Sequence, residues 1–434
     1  MNRLFALAAS ALAVIAAPAM AQDLVITNAT VALGDGSEPI EGGTVVVRGG
    51  NVVAAGADIA VPADIPAMDA KGGWVTPGLF ATITTLGIWD VGAVSQSNDQ
   101  RAGGAPFSAA LDTSTIINPK AQHVLIHREA GITRAATSTL PSASIFSGQG
   151  AIINLGSEKE PVMKAKAFQM VALGEAGAGI AGGSRAASHA LLRVALREAS
   201  AVRRGMMRTH DLEADSDVLL GSYDIEALRH VISGAHPLYV YVERASDIRT
   251  ALSLKDEFAD LDMVLVGASE GWLVAEDIAK AGVPVIAQAL NDLPDSFEQL
   301  AATQSNIGRM KRAGVKVAIN ASGLNHARRL PQVAGNLVAL NKVPGAAGLS
   351  WGEAFAAISS IPADISGYGG MAGVLKPGAM GDVVIWDGDP LELGSIPTKA
   401  YISGGEQSLE NHQSRLRDRY GKSDQSALPK AYDW

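Results

Sequence analysis

The side chains able to do acid–base or metal chemistry are few and scattered. The eight histidines are His123, His127, His189, His210, His230, His236, His326 and His412, and none forms H-x-H or H-E-x-x-H. His123 and His127 are four residues apart and could share one helix face as a two-histidine site, but no third ligand follows at a usable spacing. A solvated helix face leading into Gly131 is the plainer reading. Tyr241, Glu243 and Glu270 are the polar groups best placed beside a strand end. Buried, Glu243 would have a raised pKa suited to a general base; a structural hydrogen bond or ion pair, for instance with Arg244 or Arg134, is the alternative. Serine catalysis lacks its G-x-S-x-G turn, although Ser147 and Ser184 lie in Gly-rich loops. The acidic run Asp211, Glu213, Asp215, Asp217 lacks the central glycine and terminal glutamate of a calcium loop and reads as a solvated insertion.

Composition narrows the classes further. The 434 residues are 47% hydrophobic, enough for a substantial core. There is no cysteine, which excludes disulfides, thiolate metal sites and cysteine nucleophiles. With 35 Lys and Arg against 44 Asp and Glu, and no dense basic block, nucleic acid and anionic membrane surfaces are excluded as expected partners. Arg3, the apolar run 4–17 and Ala19-Met20-Ala21 read as a secretory signal peptide over 1–21, too short in its apolar core to span a bilayer. The expectation is a soluble exported protein, periplasmic, with no membrane span.

The elements that must position these residues fall into three blocks. Residues 24–31, 43–48 and 52–55 alternate as short strands with Gly-rich turns, and strand-like sequence returns at 381–388 and 399–405. The two ends are expected to meet in one composite β-sandwich. Between them, strands and helical patterns alternate: a helix over 123–130 and a strand over 131–136, a strand over 238–242 and a helix over 245–259. A strand over 263–266 leads to a helix ending at 281, and 283–286 is followed by a helix over 297–313 and a strand over 315–319. This is an α/β pattern that periodicity alone leaves between a barrel and a doubly wound sheet; no G-x-G-x-x-G supports a dinucleotide site.

Two stretches carry a family resemblance. Val75-Thr76-Pro77-Gly78-Leu79-Phe80-Ala81-Thr82-Ile83-Thr84 resembles the Pro-Gly turn and first barrel strand of the amidohydrolase superfamily. Gly373 to Leu391 is similar to G-x-L-x-P-G-x-x-A-D-L-V-V-W-D-G-D-P-L of its imidazolonepropionase-like branch, and 144–150 and 325–331 also fit. The resemblance spans roughly 24–420. It implies a distorted (β/α)₈ TIM-type barrel over 78–371, a composite β-sandwich from 22–77 plus 372–412, and a C-terminal tail over 413–434.

The resemblance also implies a metal site at the C-terminal ends of the barrel strands. The first two histidines of that site fall at Thr82 and Thr84, the next at Tyr241 with Glu243 following, and another near Gly267. The metal-binding aspartate falls at Ala321 or Ser322, beside His326. Lys164 and Lys166 are the lysines open to a bridging role. Zinc binds imidazole, thiolate or carboxylate, and these positions offer hydroxyls or nothing. Thr82, Thr84, Tyr241, Glu243, Gly267, Ser322 and His326 are therefore expected to line a pocket at former ligand positions. No cofactor is expected, although active relatives use zinc. Two functional readings stand. One is a hydrolase acting on non-peptide C–N bonds of the cyclic amide type, with a rearranged site. The other is a catalytically silent relative, binding a small molecule or joining a homo- or hetero-oligomer with an active paralogue.

Overall fold

The computed structural model describes residues 22–156, 159–205, 219–321 and 326–421. The signal-peptide segment, His210, the acidic run 211–217 and Ser322 lie outside the described residues. The N-terminal part gives β1 (Leu24–Val31), β2 (Ile40–Arg48), β3 (Asn51–Gly56), β4 (Ala67–Asp69) and β5 (Trp74–Pro77). The middle gives β6 (Leu79–Thr84), β7 (Ile132–Thr137), β8 (Phe146–Asn154), β9 (Val162–Ala172), β10 (Leu238–Val242), β11 (Met263–Gly267), β12 (Val285–Gln288) and β13 (Val317–Asn320). The C-terminal part returns with β14 (Val383–Trp386), β15 (Pro397–Ile402) and β16 (Gly405–Gln407).

Both chain ends build one sheet in the order β16-β15-β14-β5-β1-β2-β3, with β4 added beside β1. Its central junction is the antiparallel pairing of β14 with β5, where Val384 faces Thr76 and Ile385 faces Val75. Ile26, Val45, Val47, Val75, Val383 and Tyr401 fill its main core face, and Val25, Val46 and Ile65 form a smaller buried cluster on the other.

The second sheet, β6 to β13 in sequence order, curls into a nearly closed eight-strand barrel. Seven strands are parallel; β8 alone runs antiparallel, paired to β7 on one side and β9 on the other. Between β13 and β6 the wall is completed by Ala357 and Ile358: Ile319 N donates to Ala357 O at 2.9 Å and Phe80 N to Ile358 O at 3.1 Å. Phe80, Ala136, Phe168, Tyr239, Val264 and Ile286 fill the barrel interior. The outward residues of the same strands, among them Leu79, Val240 and Leu265, pack under the helices. The Pro77-Gly78 turn links the two sheets. A side chain at 78 would stand 2.2 Å from Thr133, and Gly78 N donates to Asp382 O at 3.0 Å, so the turn is retained for packing. Below the barrel, Arg134 and Asp382 form a buried two-pronged pair, Nε–Oδ2 2.7 Å and Nη2–Oδ1 2.8 Å.

Two expectations need correction. The segment 297–313 is helical only over Asn306–Arg312. Its first half gives its backbone groups to side chains instead: Ala301 N donates to Glu270 Oε1 at 3.1 Å, and Ala301 O accepts from Trp272 Nε1 at 2.8 Å. The helix over 245–259 is two pieces, Ala245–Leu252 and Leu254–Glu257. The antiparallel β8 had no counterpart in the sequence reading.

Candidate functional site at the barrel mouth

The C-terminal ends of the barrel strands enclose a cavity of about 270 Å³. Ile83, Met170, Val266 and Ile286 supply apolar walls, Leu140, Pro141 and Ala176 close it from the loops, and Ser138, Thr139, Tyr241, Gln288 and Asn320 supply the polar groups. No charged side chain lines it.

The first strand explains part of this chemistry. Ile83 has φ +38, a conformation that a β-branched residue rarely adopts. The register with β7 slips between Ala81 and Thr84, and Ile83 lies in the cavity lining. Thr84 instead donates its hydroxyl proton to Ala136 O at 2.9 Å, and its own Oγ1 accepts from Leu86 N at 3.3 Å. Thr82 is buried, and its hydroxyl has no partner among the described residues. Neither threonine lies in the lining.

The β10 and β11 ends hold a carboxylate directly behind the cavity wall. Tyr241 lines the cavity and its phenol donates to the carboxyl of Glu243, which is itself buried behind the wall. Ser269 N donates to Glu243 Oε2 at 2.8 Å, and Gln299 also hydrogen-bonds it. Burial raises the pKa of Glu243 against the lowering effect of these bonds, and burial, then the neighbouring Glu243, raises that of Tyr241. Gly267, at φ +93, is the space in which this carboxylate sits: a Cβ there would lie 2.5 Å from Glu243 Oε1. A side chain at 267 and the carboxylate of Glu243 exclude each other. Of the two structural alternatives Glu243 takes the hydrogen bonds and not the ion pair, because Arg244 is engaged by Asp247 at 2.8 Å and Arg134 by Asp382.

A second charged group braces the rim. Glu298 accepts from Glu175 N at 2.7 Å, and Arg185 reaches Glu175, Asp247 and Glu298 at 3.1, 3.3 and 3.5 Å. Burial, followed by the nearby Glu175 and Glu243, raises the pKa of Glu298. Glu270 is committed to the backbone, accepting from Ala245 N and Ala301 N.

The remaining candidates lie apart. His326 opens the short turn Ala327–Arg329 and is absent from the cavity lining; burial and the adjacent Arg329 lower its pKa. His127 is buried on the helix Gln122–Glu129, its Nδ1 2.6 Å from His123 O, and burial pushes its pKa down to about 4. His123 stacks on Trp89 at 3.6 Å between ring centroids. Lys164 and Lys166 are exposed on the first half of β9, away from its mouth end at Ala172. Ser184 caps the helix Arg185–Arg203 through Ala186 N, and Ser147 is buried within β8.

Sequence reasoning missed Ile83, Met170, Gln288 and Asn320. Gln288 and Asn320 are register partners at the ends of β12 and β13, and both face the cavity. The only signal for them was their place as the last polar residue of an apolar strand.

The donor set does not fit a catalytic zinc. Thr84 has both its proton and its acceptor capacity engaged, Gly267 has no side chain, Tyr241 faces a carboxyl, and Thr82 offers one neutral hydroxyl. Among the described residues, no group of three or more His, Cys, Asp or Glu is arranged to hold a metal ion.

Comparison with known proteins bears on the fold and the family. An amidohydrolase from Thermotoga maritima MSB8 superposes with a TM-score of 0.74 at 22% identity, over 88% of this chain and 99% of that one. An adenosine deaminase from Xanthomonas campestris, solved with bound zinc, gives 0.51 at 15% identity over 92% and 96%. At these identities the likeness is one of fold. The curated relative amidohydrolase tasK of Hapsidospora irregularis is 40% identical over 60 residues, which are 14% of this chain and 6% of that protein. Residues 160–412, more than half of the chain, match the profile described as Amidohydrolase family. This chain belongs to that family.

Proposed function

We propose that this protein binds a small uncharged molecule at its barrel mouth and is silent in the metal-activated hydrolysis of its family. The observation that carries the reading is the exchange at β10 and β11, where the Glu243 carboxylate fills the space of any side chain at 267. The Glu243 carboxylate, already bonded by Ser269 N and the Tyr241 phenol, is spent on positioning. The ligand would lie against Ile83, Met170, Val266 and Ile286, with its polar edge toward Gln288 and Asn320. The reading includes export to the periplasm behind a cleaved signal peptide, and association with an active paralogue as a way for a silent subunit to act.

The purified chain lacking 1–21, incubated with excess zinc and then desalted, is expected to retain far less than one zinc per chain. Stoichiometric zinc surviving desalting overturns the reading. A second reading, a C–N hydrolase with a rearranged metal-free site, is favoured by one observation: Tyr241 and Glu243 form the only phenol–carboxyl pair at the cavity wall. Turnover of an amide panel that is abolished by Tyr241→Phe and unaffected by chelator would establish that reading instead.

A further inference from the structure

The polar groups of the cavity differ in what they have left to give. Ser138 Oγ donates to Thr139 O at 3.0 Å, Thr139 Oγ1 donates to Ser147 O, and the Tyr241 proton goes to Glu243. Their donor capacity is used inside the protein. Gln288 and Asn320 are different. Their backbones pair in the sheet, but neither carboxamide has a hydrogen-bond partner among the described residues. Both open on the cavity, and as neighbours in parallel register they stand about 4.8 Å apart, the spacing of adjacent strands. Each carboxamide brings an acceptor oxygen and a donor nitrogen.

We infer that Gln288 and Asn320 form a paired-carboxamide clamp that selects an uncharged ligand with a planar donor–acceptor edge. The spacing is what sets the class. Two carboxamides one strand apart can bracket a single flat group, one giving a proton to its oxygen and the other taking one from its nitrogen. A carboxylate finds acceptors it cannot use and no cation to neutralise it, with the Glu243 carboxyl behind Gly267. An ammonium finds no counter-charge in the lining. A wholly apolar ligand fits the walls but leaves both carboxamides stripped of water and unpaired. The inference rests on the ligand-binding reading above and adds to it the residues that choose the ligand.

Four probes of one shape test it: benzamide, benzoate, benzylamine and toluene, titrated at millimolar concentration into the chain lacking 1–21. Binding is followed by methyl NMR shifts of Ile83 and Met170. Benzamide is expected to bind about tenfold more tightly than toluene, with benzoate and benzylamine weaker than both. Asn320→Leu and Gln288→Leu each weaken benzamide and tighten toluene, closing the gap between the two. Gln288→Glu, which keeps the shape, shifts the preference to benzylamine and covers the case in which a leucine variant fails to fold. Equal binding of benzamide and toluene, or benzamide affinity unmoved by these variants, overturns the clamp while leaving the cavity a ligand site. If no probe, toluene included, shifts the Ile83 and Met170 methyls, the ligand-binding reading falls with it.

Discussion

Gly267→Ala tests whether the Glu243 carboxylate occupies the space of a side chain at 267. The new Cβ would stand 2.5 Å from Oε1 and 2.7 Å from the carboxyl carbon of Glu243. Ser269 N at 2.8 Å and the Tyr241 phenol hold that carboxyl, so it cannot simply swing away. The backbone adds its own cost, since φ at 267 is +93 and alanine there gives up about 1 kcal/mol or more. Crowding a packed site costs about 1–3 kcal/mol. The single variant should therefore lose about 2–4 kcal/mol. Glu243→Ala removes the crowding but not the backbone cost, so the double variant should be more stable than the sum of the singles predicts, by about 1–3 kcal/mol. Urea unfolding of the four proteins in the cycle measures this. A loss below about 0.5 kcal/mol in Gly267→Ala, or strict additivity in the cycle, would refute the exclusion argument.

Two further outcomes concern stability. Asp382→Asn leaves the Arg134 guanidinium, 3% exposed, without its carboxylate, and should cost about 3–5 kcal/mol by urea unfolding; replacing both partners with Met and Leu should cost less than that. His127 should make the protein sensitive to mild acid. Its folded pKa of about 4 lies below the ordinary 6.5, so the neutral ring is preferred in the fold. Its contribution is complete above about pH 6.5 and is lost as pH falls through about 4, amounting to about 3 kcal/mol. His127→Gln should flatten that part of the stability profile, and a profile unchanged by the substitution would contradict the assignment.

The large features were written in local patterns. β1 could be placed residue for residue from its alternation, and the Gly381–Gly388 stretch identified the strand that joins the two chain ends. Helix 123–130 and strand 131–136 were readable from a glycine and a change of period. The site was legible in part: of the expected lining residues, Tyr241 and Gly267 line the cavity, while Thr82, Thr84, Glu243 and His326 do not. The rest of the site was not legible, because it depends on contacts across strands. Nothing local reveals that Ile83 takes a left-handed conformation, that Glu243 reaches into the space at 267, or that Gln288 and Asn320 are neighbours. The long segment before Asn306 misled for a related reason: its helix-like composition is overridden by Glu270 and Trp272, which bond its backbone from another loop.

The join between β13 and β6 has a mechanical meaning. Elsewhere neighbouring strands of the barrel pair with each other directly, but along this line the described backbone bonds are the two made by Ala357 and Ile358. Each is worth about 1 kcal/mol net, so the line is where the cylinder gives most cheaply. Ile83 and Asn320 sit at the mouth on its two flanks. A guest too wide for the resting opening has a hinge line ready beside it, and widening there leaves the ladders that carry Tyr241 and Gln288 intact.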